Sequence, residues 1–197
     1  MSKLLNDLRI YFLKSEDSLF PYKFFISKKQ NPANKKISDS SQIIYSHINS
    51  VDDRISLMLL YYENDFFQKE YEKKGLGSAL TLIRFLFGFY YFGFSNVHVT
   101  VKEGRGGIMY TLLDMVKEFV SKNEYCFIGV YPEKAVELIQ KSRKVKALIE
   151  KTETTEGITL DELISVYLSL GNTLKKNELG LGDNFINAAN ELKKRID

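Results

Sequence analysis

Two glycines that follow a lysine pair are the residues of this chain best suited to chemistry. Residues 72–80 are EKKGLGSAL, with Gly75 and Gly77 separated by Leu76. Glycine lets a backbone approach a ligand closely, and a helix beginning at Ser78 would direct N–H groups and the positive end of its dipole toward an anion. The segment therefore predicts a phosphate-binding corner, although an ordinary turn with a helix cap has the same composition.

Two other phosphate motifs do not fit this segment. A dinucleotide fingerprint requires a third small residue at the position of Leu80, and a Walker loop requires Gly-Lys followed by Ser or Thr, which the chain lacks. Neither a Rossmann nucleotide site nor a P-loop is therefore expected.

The corner resembles the signature of the GNAT N-acetyltransferase superfamily. That family carries Gln or Arg, two variable residues, Gly, one variable residue and then Gly or Ala, at the start of a central helix after its fourth strand. Gly75 and Gly77 match the pattern, residues 78–80 are similar to family members, and Glu72 departs at the Gln/Arg position. The resemblance implies that loop amides hold the pyrophosphate of acetyl-CoA, with a binding set of Lys73, Lys74, Gly75, Leu76, Gly77 and Ser78.

The resemblance continues downstream and covers roughly residues 55–131. Residues 96–101 are similar to the family's fifth strand, and the next helix reaches Met109 and Tyr110, where many members carry a Leu-Tyr pair. The resemblance implies that Tyr110 is the general acid toward the leaving CoA thiolate. An aromatic side chain in the core face of a helix is the alternative. The family's usual Asn and Ala upstream of the tyrosine are replaced by Glu103 and Gly106.

Carboxylates at the end of the fourth strand are candidates for the general base. Glu63 and Asp65 could accept a proton from an amine directly or through water, or they could be solvated loop residues. His98 is expected to be structural, and Cys126 is expected to lie in the core. With two histidines and one cysteine in the chain, no metal site of ordinary spacing is expected.

Composition indicates an ordinary globular protein. Hydrophobic residues make up 44% of the 197 residues, charged residues 27%, and the net charge is +3. A basic run at residues 141–146 could contact phosphate, but cations near a helix C-terminus also stabilise the helix, which favours a solvated face. Nucleic acid is therefore not expected as a partner.

The single cysteine and an N-terminus without an uninterrupted apolar run favour a cytoplasmic location.

Residues 79–94 form an apolar run that must be tested as a membrane span. A span needs about 20 apolar residues, and Arg84 interrupts this shorter run. A helix buried against a sheet and ending near Gly93 is expected instead.

The pattern of the whole chain predicts a mixed α/β (α+β) fold, GNAT-like, with a central sheet flanked by helices. Strands are expected at 10–13, 22–26, 43–48, 54–62, 96–101 and 125–131, with a polar loop at 27–41. Helices are expected from Ser78, at 108–120, at 133–150, from a capping box at Thr159 to Gly171, and at 183–196. A polar break at Lys151 predicts a sheet domain at 1–150 and a helical hairpin extension at 151–197.

Two functions from different classes fit these observations. The first is an N-acyltransferase that moves an acetyl group from acetyl-CoA to an amine on a small molecule or a protein. The second is a non-catalytic interaction protein on the same scaffold, which uses residues 151–197 to bind a protein partner or a second copy of itself. The acceptor cannot be identified, because acceptor pockets are built by variable loops.

Overall fold

The computed structural model describes residues 5–14, 22–28, 42–50, 56–60, 73–102, 108–121 and 124–197. Within these residues seven strands form one sheet in the order β1-β2-β3-β4-β5-β7-β6. The strands are β1 Leu8–Lys14, β2 Tyr22–Lys28, β3 Gln42–Ser50, β4 Ser56–Leu60, β5 Asn96–Lys102, β6 Val116–Ser121 and β7 Glu124–Val130.

One parallel pair determines the topology of the sheet. β4 and β5 run parallel, with Leu57 opposite Val97, while the other neighbouring strands are antiparallel. Parallel neighbours require a crossover, and helix α1 (Leu76–Phe87) lies in the connection between them. The expected mixed α/β fold, with a helix between the fourth and fifth strands, is confirmed.

Helix α1 is buried on nearly its whole circumference, which explains the apolar run. On one side Phe87 packs against Phe24 of β2, with ring centroids 5.2 Å apart. On another side the Leu82 carbonyl accepts a hydrogen bond of 2.8 Å from the buried Tyr167 hydroxyl. A π-helical turn, Gly88–Phe92, extends the helix up to Gly93. The predicted buried helix ending near Gly93 is confirmed.

No helix in the described part of the chain combines the length and apolarity that crossing a bilayer requires.

The predicted helix at 108–120 is wrong beyond its first turns. Helix α2 covers only Ile108–Leu112 and is followed by strand β6. Asp114 has a left-handed φ of 64°, and Met115 N donates to Tyr110 O at 3.0 Å while Asp114 N donates to Thr111 O at 3.0 Å. These two bonds form a Schellman motif, which ends a helix. Val116 then pairs with Ile128 of β7.

The predicted helix at 133–150 is two helices, α3 Glu133–Gln140 and α4 Arg143–Thr152. Ser142 separates them because its side chain accepts from Val145 N at 3.4 Å and caps α4. Arg143 and Lys144 therefore begin a helix rather than end one, so the expected dipole stabilisation is wrong for them. Both side chains are exposed, and Lys144 Nζ donates to Ser169 Oγ at 2.9 Å.

The C-terminal residues form two helices packed along each other, α5 Leu160–Lys176 and α6 Leu181–Ile196. The predicted capping box at Thr159 is confirmed, but α5 continues past Gly171 to a left-handed residue, Glu178. Gly171 is instead a point of close approach, since a Cβ placed on it would lie 2.7 Å from Gly182 O. Gly171 is therefore needed for the close packing of the two helices, and the prediction that it ends α5 is wrong.

The two C-terminal helices contribute to the same hydrophobic core as the sheet. Ile158 exchanges backbone hydrogen bonds of 2.8 and 3.0 Å with Ile10 of β1. Tyr167 and Phe185 are fully buried, with ring centroids 5.0 Å apart. Lys151, the predicted start of the extension, lies inside α4. The division into 1–150 and 151–197 stays a prediction.

Substituting Gly171 with Ala is expected to destabilise the protein by about 1–3 kcal/mol, because the added methyl group must separate two backbones that touch. Helix propensity alone would predict the opposite sign, a gain of up to about 1 kcal/mol. Urea denaturation measures the difference. The exposed neighbour Asn172→Ala is the control and should change stability by less than about 0.5 kcal/mol. A more stable Gly171→Ala variant would contradict the close approach.

The capping box should make stability depend on pH. Burial alone would raise the pKa of Glu162, but Lys151 Nζ at 2.6 Å and Thr159 N at 2.7 Å hold that pKa below its ordinary value. A lowered folded-state pKa contributes stability above the unfolded pKa of about 4.3 and loses it as the pH falls. Glu162→Gln is therefore expected to cost about 0.5 kcal/mol at pH 7, since the pair is partly exposed, and less at pH 3. Equal losses at both pH values in guanidinium titrations would contradict this.

Candidate functional site

The predicted phosphate corner is a left-handed turn that begins α1. Lys73 has a φ of 59° and Gly75 a φ of 76°, and Gly75 is the N-cap, with its carbonyl accepting from Ala79 N at 2.9 Å. The helix thus starts at Leu76, two positions before the predicted start at Ser78. The glycine is required here because a left-handed conformation is strained for residues with a Cβ.

The six residues of the predicted binding set are placed differently in this turn. Lys73 is exposed, Lys74 is half-buried, and Leu76 is fully buried in the core. Gly77 and Ser78 are half-buried within the first turn of α1. The structure therefore brings together a helix start and two lysines, while Leu76 serves the core.

The end of α6 packs directly onto this corner. A Cβ placed on Gly75 would lie 3.0 Å from Arg195 Cβ, 3.4 Å from Ile196 Cγ2 and 3.4 Å from Leu192 Cδ1. Gly75 is therefore buried under the last turn of α6, and this side of the corner is filled by side chains. The sequence pattern predicts a phosphate-binding corner, but it does not reveal that α6 covers one side of it.

The residues around the corner carry more positive than negative charge. The last turn of α6 has Lys193, Lys194 and Arg195, and Lys73 and Lys74 lie just before Gly75. Among the described residues of these two segments the acids are Glu191 and Asp197, and Glu191 Oε1 accepts from Arg195 Nε at 2.7 Å. Positive charge at a helix N-terminus favours an anionic ligand in the same place.

Tyr110 lies in the core, on α2. Its side chain is 2% exposed, and its ring packs against Phe127 of β7 at 5.1 Å and Phe85 of α1 at 6.4 Å. Phe85 is about 15 Å along α1 from Gly75 at roughly 1.5 Å per residue. Gly75 thus lies at the start of α1, and Tyr110 lies beside the part of α1 that carries Phe85. The role of Tyr110 stays a prediction.

A second tyrosine nearby has a structural role. Tyr131 packs edge-on against Phe85 at 6.4 Å, and its hydroxyl donates to Leu113 O at 2.8 Å. Burial and the nearby Asp114 carboxylate raise the pKa of Tyr131. The phenol therefore remains a hydrogen-bond donor and holds the end of α2 in place.

The other predicted site residues are distributed as follows. Glu63, Asp65, Glu72, Glu103 and Gly106 lie outside the described residues. His98 is on β5, opposite Met58 and Ile128, and Cys126 is half-buried on β7. Within the described ranges no three His, Cys, Asp or Glu side chains are grouped so that they could hold a metal ion.

A buried cation on α1 was not predicted. Arg84 is 0% exposed, its Nε donates to Leu80 O at 3.1 Å, and its Nη2 donates to Thr81 Oγ1 at 3.3 Å. Thr81 Oγ1 in turn donates to Gly77 O at 3.0 Å. A line of polar contacts thus leads from the middle of α1 back to its first turn. The signal in the sequence is a single charge within an apolar run, which argues against a membrane span but does not indicate a polar network.

Comparisons with known proteins give similar structures but no sequence relative. No protein-family model matches the chain, and no curated protein matches it. A point mutant of the SpeG spermidine N-acetyltransferase from Vibrio cholerae is similar with a TM-score of 0.41 and 10% identity, over 62% of this chain and 69% of its own.

Two further solved structures are similar over part of this chain. The N-terminal domain of a ribosomal-protein-alanine acetyltransferase from Clostridium acetobutylicum has a TM-score of 0.36 and 16% identity, over 62% of this chain and 92% of its own. A GCN5-related N-acetyltransferase from Brucella melitensis has a TM-score of 0.40 and 10% identity, over 76% of this chain and 68% of its own. These three structures are of proteins named as acetyltransferases.

Proposed function

We propose that this chain is an N-acyltransferase that uses acetyl-CoA and acts in the cytoplasm. The observation that carries the proposal is the left-handed Gly75 turn, which begins the buried crossover helix between the sheet's parallel strands and carries Lys73 and Lys74. Ligands of sheets with parallel strands bind beyond the carboxyl ends of those strands, and α1 starts after β4. The diphosphate of the coenzyme would lie on the first turn of α1, with charge supplied by the two lysines.

The proposed reaction needs a proton acceptor and a proton donor. A neutral amine attacks the thioester carbonyl, the C–N bond forms, and the C–S bond breaks as the tetrahedral adduct collapses. The amine proton passes to Glu63 or Asp65 directly or through water, and Tyr110 donates its proton to the departing thiolate. CoA with a thiol and an N-acetylated acceptor, a small molecule or a protein, are the products. No metal takes part in these steps.

Isothermal titration of the full chain with acetyl-CoA tests this proposal. Binding at millimolar concentrations or tighter is expected, and Lys73→Glu with Lys74→Glu should weaken it because two cations beside a diphosphate become anions. Lys176→Glu, an exposed charge reversal at the far end of α5, is the matched control and should leave binding unchanged. No heat at millimolar acetyl-CoA would overturn the proposal.

A second candidate is a non-catalytic interaction protein, and the packing of α6 over Gly75 favours it. In this case α5 and α6 would stabilise the fold and present their exposed faces to a protein partner or a second copy of the chain. Light scattering of the full chain over a range of concentrations distinguishes the two functions. A mass that rises to a dimer, together with no acetyl-CoA binding, supports the second candidate; a monomer that binds acetyl-CoA contradicts it.

A further inference from the structure

We infer that the last turn of α6, residues 192–197, is a displaceable cover of the coenzyme corner, so that acetyl-CoA and this turn compete for the same surface. The inference rests on the proposed function. It adds a regulatory element that this chain carries on its own C-terminal helix.

The cover lies against the corner, and the helix that carries it packs against the helix of the candidate acid. Its side chains contact Gly75 through Leu192, Arg195 and Ile196. Helix α6 also packs against α2, which carries Tyr110. Tyr110 is only 2% exposed in this arrangement, although a proton donor must approach the thiolate. An acetyl-CoA molecule extending from Gly75 to Tyr110 would therefore meet α6.

The two ends of α6 are held differently, which allows one end to open alone. Near its start Gly182 and Gly171 bring α6 and α5 into backbone contact, since a Cβ on Gly182 would lie 2.6 Å from Gly171 O. At its end the helix is held by the buried side chains of Leu192 and Ile196, and a hydrogen bond from the N-terminal amino group lowers the pKa of Asp197. Helix ends have low local stability, so the last turn can unfold or swing while the glycine crossing stays closed.

The cover is positively charged, as expected for a segment that exchanges places with an anionic ligand. Lys193, Lys194 and Arg195 follow one another in the last turn, and Arg195 Nε is bonded to Glu191 on the same helix. After displacement these cations stay tethered close to the first turn of α1. The cover therefore occludes the corner when closed and attracts the diphosphate when open.

A closed cover lowers the apparent affinity for acetyl-CoA by the fraction of molecules that are open. Ile196→Ala removes a contact with Gly75 and is expected to tighten binding about tenfold in isothermal titrations. Leu181→Ala is the matched control, because Leu181 is a buried aliphatic residue in the first turn of the same helix. It should leave the dissociation constant within about twofold of wild type.

The outcomes separate the cover from the proposed function. Tighter binding of Ile196→Ala alone, or binding seen in that variant and not in wild type, supports the cover. Equal or weaker binding of Ile196→Ala than of wild type overturns it and leaves the transferase proposal standing. Absence of binding in both proteins overturns the transferase proposal, and the cover with it.

A measurement on the unmodified chain keeps the inference testable if Ile196→Ala does not fold. Hydrogen exchange is followed with and without saturating acetyl-CoA. Faster exchange of the amides of residues 192–197, with slower exchange in the first turn of α1, is expected. Slower exchange in both segments would mean that α6 closes on the coenzyme, and would overturn the cover.

Discussion

Replacing Phe185 with Ala is expected to lower the free energy of unfolding by about 3–5 kcal/mol, which is the range for removing a fully buried aromatic side chain. Phe185 is 0% exposed and packs against Tyr167 at 5.0 Å. Tyr167 in turn donates to Leu82 O in α1 at 2.8 Å. The cavity would therefore form where the C-terminal helices contact the central helix of the sheet.

The same variant tests whether residues 151–197 are a separate extension. Because α1, α5 and α6 share one core, the loss is expected to shift a single cooperative transition in urea, followed by both circular dichroism and tyrosine fluorescence. Asn187→Ala, an exposed change on the same helix, is the control and should move the midpoint little. Two separate transitions, of which one is unchanged in Phe185→Ala, would instead support an independent hairpin.

Short strands could be predicted from the sequence where a local pattern indicates them, either alternation or a run of aromatic and β-branched residues. The 96–101 prediction agrees with β5, since alternating valines bury one face, with Val97 and Val99 at 1% exposure or less. The prediction failed at residues 116–120, where the spacing of Leu113, Val116 and Val120 fits a helix as well as a strand. The Schellman motif at Asp114 decides between them, and an aspartate in a left-handed conformation is not a strong signal in a sequence.

The turn of the candidate site could be predicted from the sequence, but its contacts with residues distant in the chain could not. Gly75 is recognisable because two glycines and a helix start lie next to each other in the chain. Its contact with Arg195 and Ile196 could not be found, since no local pattern connects residues so distant in sequence. The burial of Arg84 had only an indirect signal, its position inside an apolar run, because an arginine by itself does not indicate whether a core or water surrounds it.

Replacing Tyr110 with Phe is expected to slow acetyl transfer by about 100-fold or more, the lower end of what a positioned general acid contributes. The ring contacts with Phe127 at 5.1 Å and Phe85 at 6.4 Å remain in the variant, so the fold should be kept. The hydroxyl that would donate the proton to the departing thiolate is removed. Steady-state kinetics with acetyl-CoA and a panel of primary amines and polyamines, measured as released thiol, should show a loss in kcat with little change in KM for acetyl-CoA.

Tyr131→Phe is the matched control for this loss. Its hydroxyl is also buried beside Phe85, but it donates to Leu113 O, so its removal should cost about 1 kcal/mol of stability and leave kcat close to wild type. If both variants lose the same activity, the effect arises from packing around α2 rather than from proton transfer. If Tyr110→Phe keeps full activity, Tyr110 is a core aromatic residue and the thiolate takes its proton from another donor or from water.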